Sequence, residues 1–206
     1  MKKALFSLSS FTLILPLTTL ACNTSTSQVS VSEQQEIDKI LDEATFSVKD
    51  KNLTNRQFTL ANLQVNNLDT TKYEIKLGQI QFVNYGQIKT KIWIVSKVKP
   101  VLISKHINLI LQEMKLAKEE LDDIQSKLKI YLKNNSYTAE DFQNAGGDAF
   151  EDASSVATLK QYVKLSFSNN RVMNGKYQTT LTLTDLKFNQ NKQDYVLDNV
   201  LPRENK

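Results

Sequence analysis

Cys22 is the only cysteine in the 206-residue chain, and its surroundings point to one chemistry for the thiol, acylation. Lys2 and Lys3 precede an uncharged stretch from Ala4 to Ala21, and Leu20-Ala21 leads directly into the cysteine. That is the layout of a bacterial export signal ending at a lipid-acceptor residue. The competing readings are an ordinary secretory signal or a retained transmembrane anchor, because 18 uncharged residues approach the length of a span. Ser7, Ser9, Ser10, Thr12, Thr18 and Thr19 dilute the stretch, and Pro16 interrupts helix just ahead of the cleavage point. A stringent box has Leu three residues before the cysteine and a small residue two before; this chain has Thr19 and Leu20 there.

No other residues are grouped in a way that announces catalysis. His106, the only histidine, stands beside Lys105 and away from any Cys, Asp or Glu at metal-ligand spacing, so no metal centre is assigned. Gly146-Gly147 lacks the Lys-Ser/Thr that completes a phosphate-cradling loop. The acidic run Asp148, Glu151 and Asp152 does not follow EF-hand spacing and reads as a solvated loop. A Ser-His-Asp constellation cannot be assembled without arbitrary choices. The chain is therefore read as a non-enzyme with no cofactor. Lys89, Lys91, Lys97 and Lys99 flank Trp93, the only Trp; alternating lysines protect sheet faces and edges, yet an aromatic among cations also suits a ligand surface. Trp93, Tyr73 and Tyr177 are the candidate binding residues, expected to line a concave pocket between two units if the protein captures a glycan or a small molecule.

Charge narrows the partners. Removing residues 1–21 takes away Lys2 and Lys3 and no acid, lowering the net charge from +4 to +2. A near-neutral domain lacks the concentrated cationic face that nucleic-acid binding requires. With Cys22 acylated no thiol remains for disulfides, so stability must come from a packed core.

The elements expected to position these residues fall into five segments. Residues 1–21 are the signal peptide and 22–31 a polar tether, with nothing apolar enough to bury between Asn23 and Ser30. Residues 32–100 form a first α+β unit. It opens on a helix of about 15 residues capped by Ser32 and Gln35, with Ile37, Ile40, Leu41 and Ala44 on one face. Period-two alternation follows from Phe58 and Leu60 through Ile94, with a hairpin turn at Asn84-Tyr85-Gly86. Residues 101–188 form a second unit, offset from the first by 84 positions at Glu36/Glu120 and Thr54/Thr138 and by 88 or 89 at the Gly86/Gly175 hairpins, where Asn174-Gly175 is a type I′ signal. Ile107, Ile110, Met114, Ala117, Leu121, Ile124, Leu128 and Tyr131 keep 3,4 spacing, predicting a long amphipathic helix over 104–133. Its broad stripe suits packing on a sheet, with self-association as the alternative. Residues 189–206 are a polar tail, in which Tyr195 to Leu201 either form a short element or stay loose. The fold class is thus α+β, two tandem helix-plus-antiparallel-strand units joined through one long helix.

The signal Lys2-Lys3 with Thr18-Thr19-Leu20-Ala21-Cys22-Asn23, the polar tether and the duplicated unit with Thr138-Ala139-Glu140-Asp141-Phe142 resemble the spiralin-like surface lipoproteins of mollicutes. The resemblance implies a lipid-anchored protein on the extracellular face of the cell membrane, in a structural-coat or adhesin-like role toward a host glycoprotein or glycan. The alternative is a lipoprotein that binds a small molecule or glycan, serving a transporter.

Overall fold

The computed structural model describes residues 28–152 and 158–202. The protein is mixed α+β, with three α-helices and several antiparallel sheets among these residues. Helix α1, Val31–Glu43, starts at a capping box made by Ser30 and Glu33, not by Ser32 and Gln35 as the sequence predicts. Both pairs fit the pattern; Glu33 wins because Lys99 also holds its carboxylate at 2.9 Å. Ile37 and Leu41 are the buried face of the helix, packed with Ile94.

Strand β1, Thr45–Val48, pairs antiparallel with β2, Leu63–Asn66. Between them Thr54 and Gln57 close a single helical turn, Asn55–Gln57. Phe58 and Leu60, expected in a strand, instead end this turn and begin a second one; Phe58 is buried, so its apolar character served packing and not alternation. Strands β3, Tyr73–Leu77, and β4, Gln81–Asn84, both lie against one edge of β5, Gln87–Ser96. Strand β6, Ile107–Leu111, pairs with the other edge. Alternate residues of β5, Ile88, Thr90, Ile92, Ile94 and Ser96, face the core.

The second half also runs from a helix into strands, with a second α-helix and one strand fewer. Helix α2, Lys118–Lys127, is followed by β7, Ile130–Leu132, then by α3, Ala139–Ala145, whose Thr138 cap accepts from Asp141 N–H. Strand β8, Phe150–Asp152, pairs antiparallel with β7. Strands β9, Val163–Met173, β10, Lys176–Asp185, and β11, Lys192–Leu197, form a meander with β10 central. The central strand β10 has a register irregularity at the buried Thr179, between Gln178 and Thr180, and the pairing of β4 with β5 has one between Phe82 and Asn84. Thr90 Oγ1 lies 3.1 Å from the Gly78 carbonyl, and Thr179 Oγ1 lies 3.0 Å from that of Ser168. The buried residues of β10 (Thr179, Leu181, Leu183 and Asp185) stand 89 positions after Thr90, Ile92, Ile94 and Ser96.

The expected connection between the halves is overturned. The helix over 104–133 does not exist: its residues form β6, an extended connector, α2 and β7. Ile107, Leu109 and Leu111 turn inward on β6 while Asn108 and Ile110 face out, so five apolar-rich residues satisfied a helical spacing by coincidence with alternation. Glu113 adopts a φ of 67°, which ends any continuous helix there. The halves are joined instead by extended residues Met114 to Ala117, held from both sides: Lys115 N–H donates to Leu53 O at 3.1 Å, and Leu116 N–H to Asp185 Oδ2 at 2.9 Å. In the tail, where Tyr195 to Leu201 are expected either to form a short element or to stay loose, residues 192–197 form strand β11 and Val200 is buried beyond it.

Candidate functional site

Cys22 lies outside the described residues. Among them, no helix is long and apolar enough to cross a membrane, and no group of three or more His, Cys, Asp or Glu side chains is placed to hold a metal ion.

The three candidate aromatics are not brought together. Trp93 is on the outer face of β5, opposite Lys76 of β3, and its ring lies 4.5 Å from that of His106, tilted by 35°. Tyr73 packs on the inner side with Ile37, Leu41 and Ile94. Tyr177 is in the core of the second half, 5.0 Å edge-on from Phe142, its hydroxyl donating to Tyr137 O at 2.8 Å. The pocket expected between Tyr73, Trp93 and Tyr177 is therefore not formed by these residues. What remains at Trp93 is an aromatic step of two rings on an open face. Lys89 and Lys91, four and two residues before it on the same strand, form no ion pair with a described residue, whereas Lys76 is paired with Glu74.

A cleft of about 380 Å³ opens where the two halves meet. The β4–β5 hairpin supplies Phe82 and Tyr85, the loop after β1 supplies Arg56, and α2 supplies Glu119, Glu120, Asp123 and Lys127. Arg56 sits over the Phe82 ring, 3.9 Å from its centroid, which shields one side of an otherwise exposed aromatic. Glu120 is buried, and its carboxylate is fully engaged. Oε1 accepts from Asn55 Nδ2 at 2.7 Å and from Gly86 N–H at 2.9 Å, and Oε2 accepts from Ala117 N–H at 2.8 Å. Gly86 is required at this turn because its φ is +63° and a Cβ would lie 2.5 Å from Met114 O.

On the open side Tyr85 donates to Asp123 Oδ2 at 2.6 Å, and the Lys127 ammonium contacts both groups. The lysine, and then the phenol, hold the Asp123 carboxyl below the usual carboxylate range. Lys127 rises to about 12, first through Asp123 and then Tyr85. Burial, followed by the Asp123 hydrogen bond, pushes the Tyr85 phenol up. At the neighbouring position Asp122 accepts from Tyr195 of β11 at 2.8 Å. Adjacent aspartates of α2 thus clamp one tyrosine from each half. Chemically, the carboxylates of Glu120 and Asp123 are occupied by donors, and the cleft otherwise offers aromatic surface, fixed charge and the exposed Glu119 carboxylate.

A second cleft of about 380 Å³ lies between the end of α2, β7 and β11, with Leu128, Ile130 and Leu197 among its walls. Neither cleft was located from the sequence. The one local signal was Ala117-Lys118-Glu119-Glu120, where a glutamate three residues into a helix can reach back to the cap N–H. No family model matches the chain, and no curated protein or solved structure is significantly similar to it.

Proposed function

We propose that the chain is a surface lipoprotein, tied to the outer face of the cell membrane by acylation of Cys22, that acts without catalysis as a coat component or in contact with a host surface. The observation that carries this reading is the single cysteine placed at the end of an export signal and followed by a polar tract. One acyl chain holds a protein only marginally, so stable attachment takes two chains or one chain with a further contact. The polar residues after Cys22 then set the reach of the fold.

A second reading, capture of a glycan or small molecule, draws support from the Trp93–His106 step and from Lys89 and Lys91 beside it, which form no ion pair among the described residues. Flat rings suit sugar faces, and unpaired ammonium groups suit polar or anionic substituents. The test for both is a pull-down of host surface extract with immobilised chain from Gln28 onward. Retention of a glycoprotein, lost in Trp93→Ala, supports recognition through this face. Retention that is unchanged by that substitution moves the contact elsewhere, and retention of nothing removes the host-contact role and leaves the coat.

We also infer that the halves descend from one duplicated helix-plus-strand unit, which began as residues 32–100 and 101–188. The similar order of elements, the hairpin glycines Gly86 and Gly175, and the buried threonines Thr90 and Thr179, 89 positions apart, support it. Independent convergence on a buried Thr whose hydroxyl lies against a backbone carbonyl in both central strands is the less economical account.

A further inference from the structure

The loop joining β5 to β6 exposes aliphatic side chains that belong to no hydrophobic core cluster among the described residues. Val98 is 87% exposed, Val101 55% and Ile103 42%. Single exposed aliphatics are ordinary, but three in six residues at the end of a hairpin form a local apolar surface. The loop is held in this form. Ser96 N–H donates to Leu102 O at 3.0 Å, Leu102 N–H to Lys99 O at 2.8 Å, and Lys99 N–H to Ser96 Oγ at 3.1 Å. The first turn of α1 lies against it, with Gln34 Nε2 donating to Ile103 O at 2.9 Å and Lys99 paired with Glu33. That turn begins with Val31, itself 75% exposed.

The same loop is where the chain arrives from its N-terminal side, since Lys99 Nζ donates to Gln28 O at 3.2 Å. Cys22 and Gln28 are six residues apart (28 − 22), so the chain between them spans at most about 21 Å. A lipid on Cys22 therefore keeps the loop within that distance of the bilayer. Charge decides what kind of contact follows. Lys99 is paired with Glu33 and Lys105 with Asp42, and the Lys97 ammonium donates to Thr70 O at 2.7 Å. With two of three cations neutralised, attraction to anionic headgroups is small, and the aliphatic side chains carry the contact.

We propose that the β5–β6 loop is a second membrane contact, Val98 and Val101 entering the interfacial layer of the bilayer that holds the Cys22 lipid. This rests on the anchor reading, and it supplies the further contact that a short lipid tether lacks. It also orients the molecule. The β4–β5 turn and the cleft beside α2 lie at the opposite end of β5, roughly 30 Å away along ten residues, and are turned outward.

The test uses the chain from Cys22 onward, which retains every described element, with the Cys22 thiol coupled to a maleimide phospholipid in vesicles. Chemical coupling makes the result independent of natural acylation, so a failure here is distinct from a failure of the anchor. In a Trp93→Phe background, Val98→Trp reports on the loop and Val196→Trp, on exposed β11, serves as control. Emission from Val98→Trp should shift to the blue and be quenched about twofold or more by lipids brominated high on the acyl chain. The control should show neither change, and about 1 M salt, with a screening length near 3 Å, should leave the quenching intact. Equal quenching at both sites, or none at position 98, would overturn the proposal. So would a blue shift without quenching that grows with protein density, because a second copy of the chain would then cover the loop.

Discussion

Glu120 is the residue on which the junction between the halves depends most. Its buried carboxylate takes donors from the first-half loop, from the hairpin turn and from its own helix cap. Glu120→Ala leaves three donors without a partner and should destabilise the protein by about 2–4 kcal/mol, read as a lower urea midpoint. Glu120→Gln keeps an acceptor and should cost less. A second residue-scale prediction concerns Glu33. Its hydrogen bond with Lys99, and then those with Ser30, lower its pKa from 4.5 to about 2. For a carboxylate lowered on folding, the stabilising contribution is complete above the ordinary value and disappears as pH falls through the folded one. The contact between α1 and the β5–β6 loop should therefore survive from neutral pH through pH 4 and be lost only near pH 2. The Glu33 side-chain carbon resonance should titrate near pH 2 and move upward in Lys99→Met; a wild-type midpoint near 4.5 contradicts the contact.

At the level of elements, the two hairpin glycines are alike in conformation and different in surroundings. Both have positive φ, but a Cβ on Gly86 meets Met114 O at 2.5 Å whereas one on Gly175 meets nothing within 4 Å. Gly175→Ala should cost about 1 kcal/mol from backbone strain alone, and Gly86→Ala about 2 kcal/mol or more, measurable by denaturant unfolding. Thr90→Val and Thr179→Val should each cost about 1 kcal/mol, since each loses a buried hydroxyl contact to a backbone carbonyl. These hairpins were readable in the sequence because Asn-Tyr-Gly and Asn-Gly fix a backbone conformation locally. The 104–133 segment was not. It contains no Gly or Pro to mark its breaks, and its boundaries are set by contacts from afar: Leu53 and Asp185 hold the connector, and Asn55 and Gly86 meet Glu120. The same cause hid the cleft, whose walls Arg56, Phe82, Asp123 and Lys127 come from three separate segments. Trp93 was legible as a residue on a lysine-flanked strand, but its partner His106 was expected at the start of a helix and reaches it from the position just before β6.

For the whole molecule, the proposed anchor would put a lipid at one end of an α+β body whose halves meet through α2. Under that proposal the apolar loop near Gln28 is the membrane side and the cleft at the far end of β5 the outward side. Everything in this arrangement depends on Cys22 carrying the lipid. Growth of the producing cells with labelled palmitate should mark the membrane-associated protein, and Cys22→Ser should abolish the label and release the chain from the membrane fraction. Label that persists in Cys22→Ser, or wild-type protein recovered unlabelled and soluble, would contradict it.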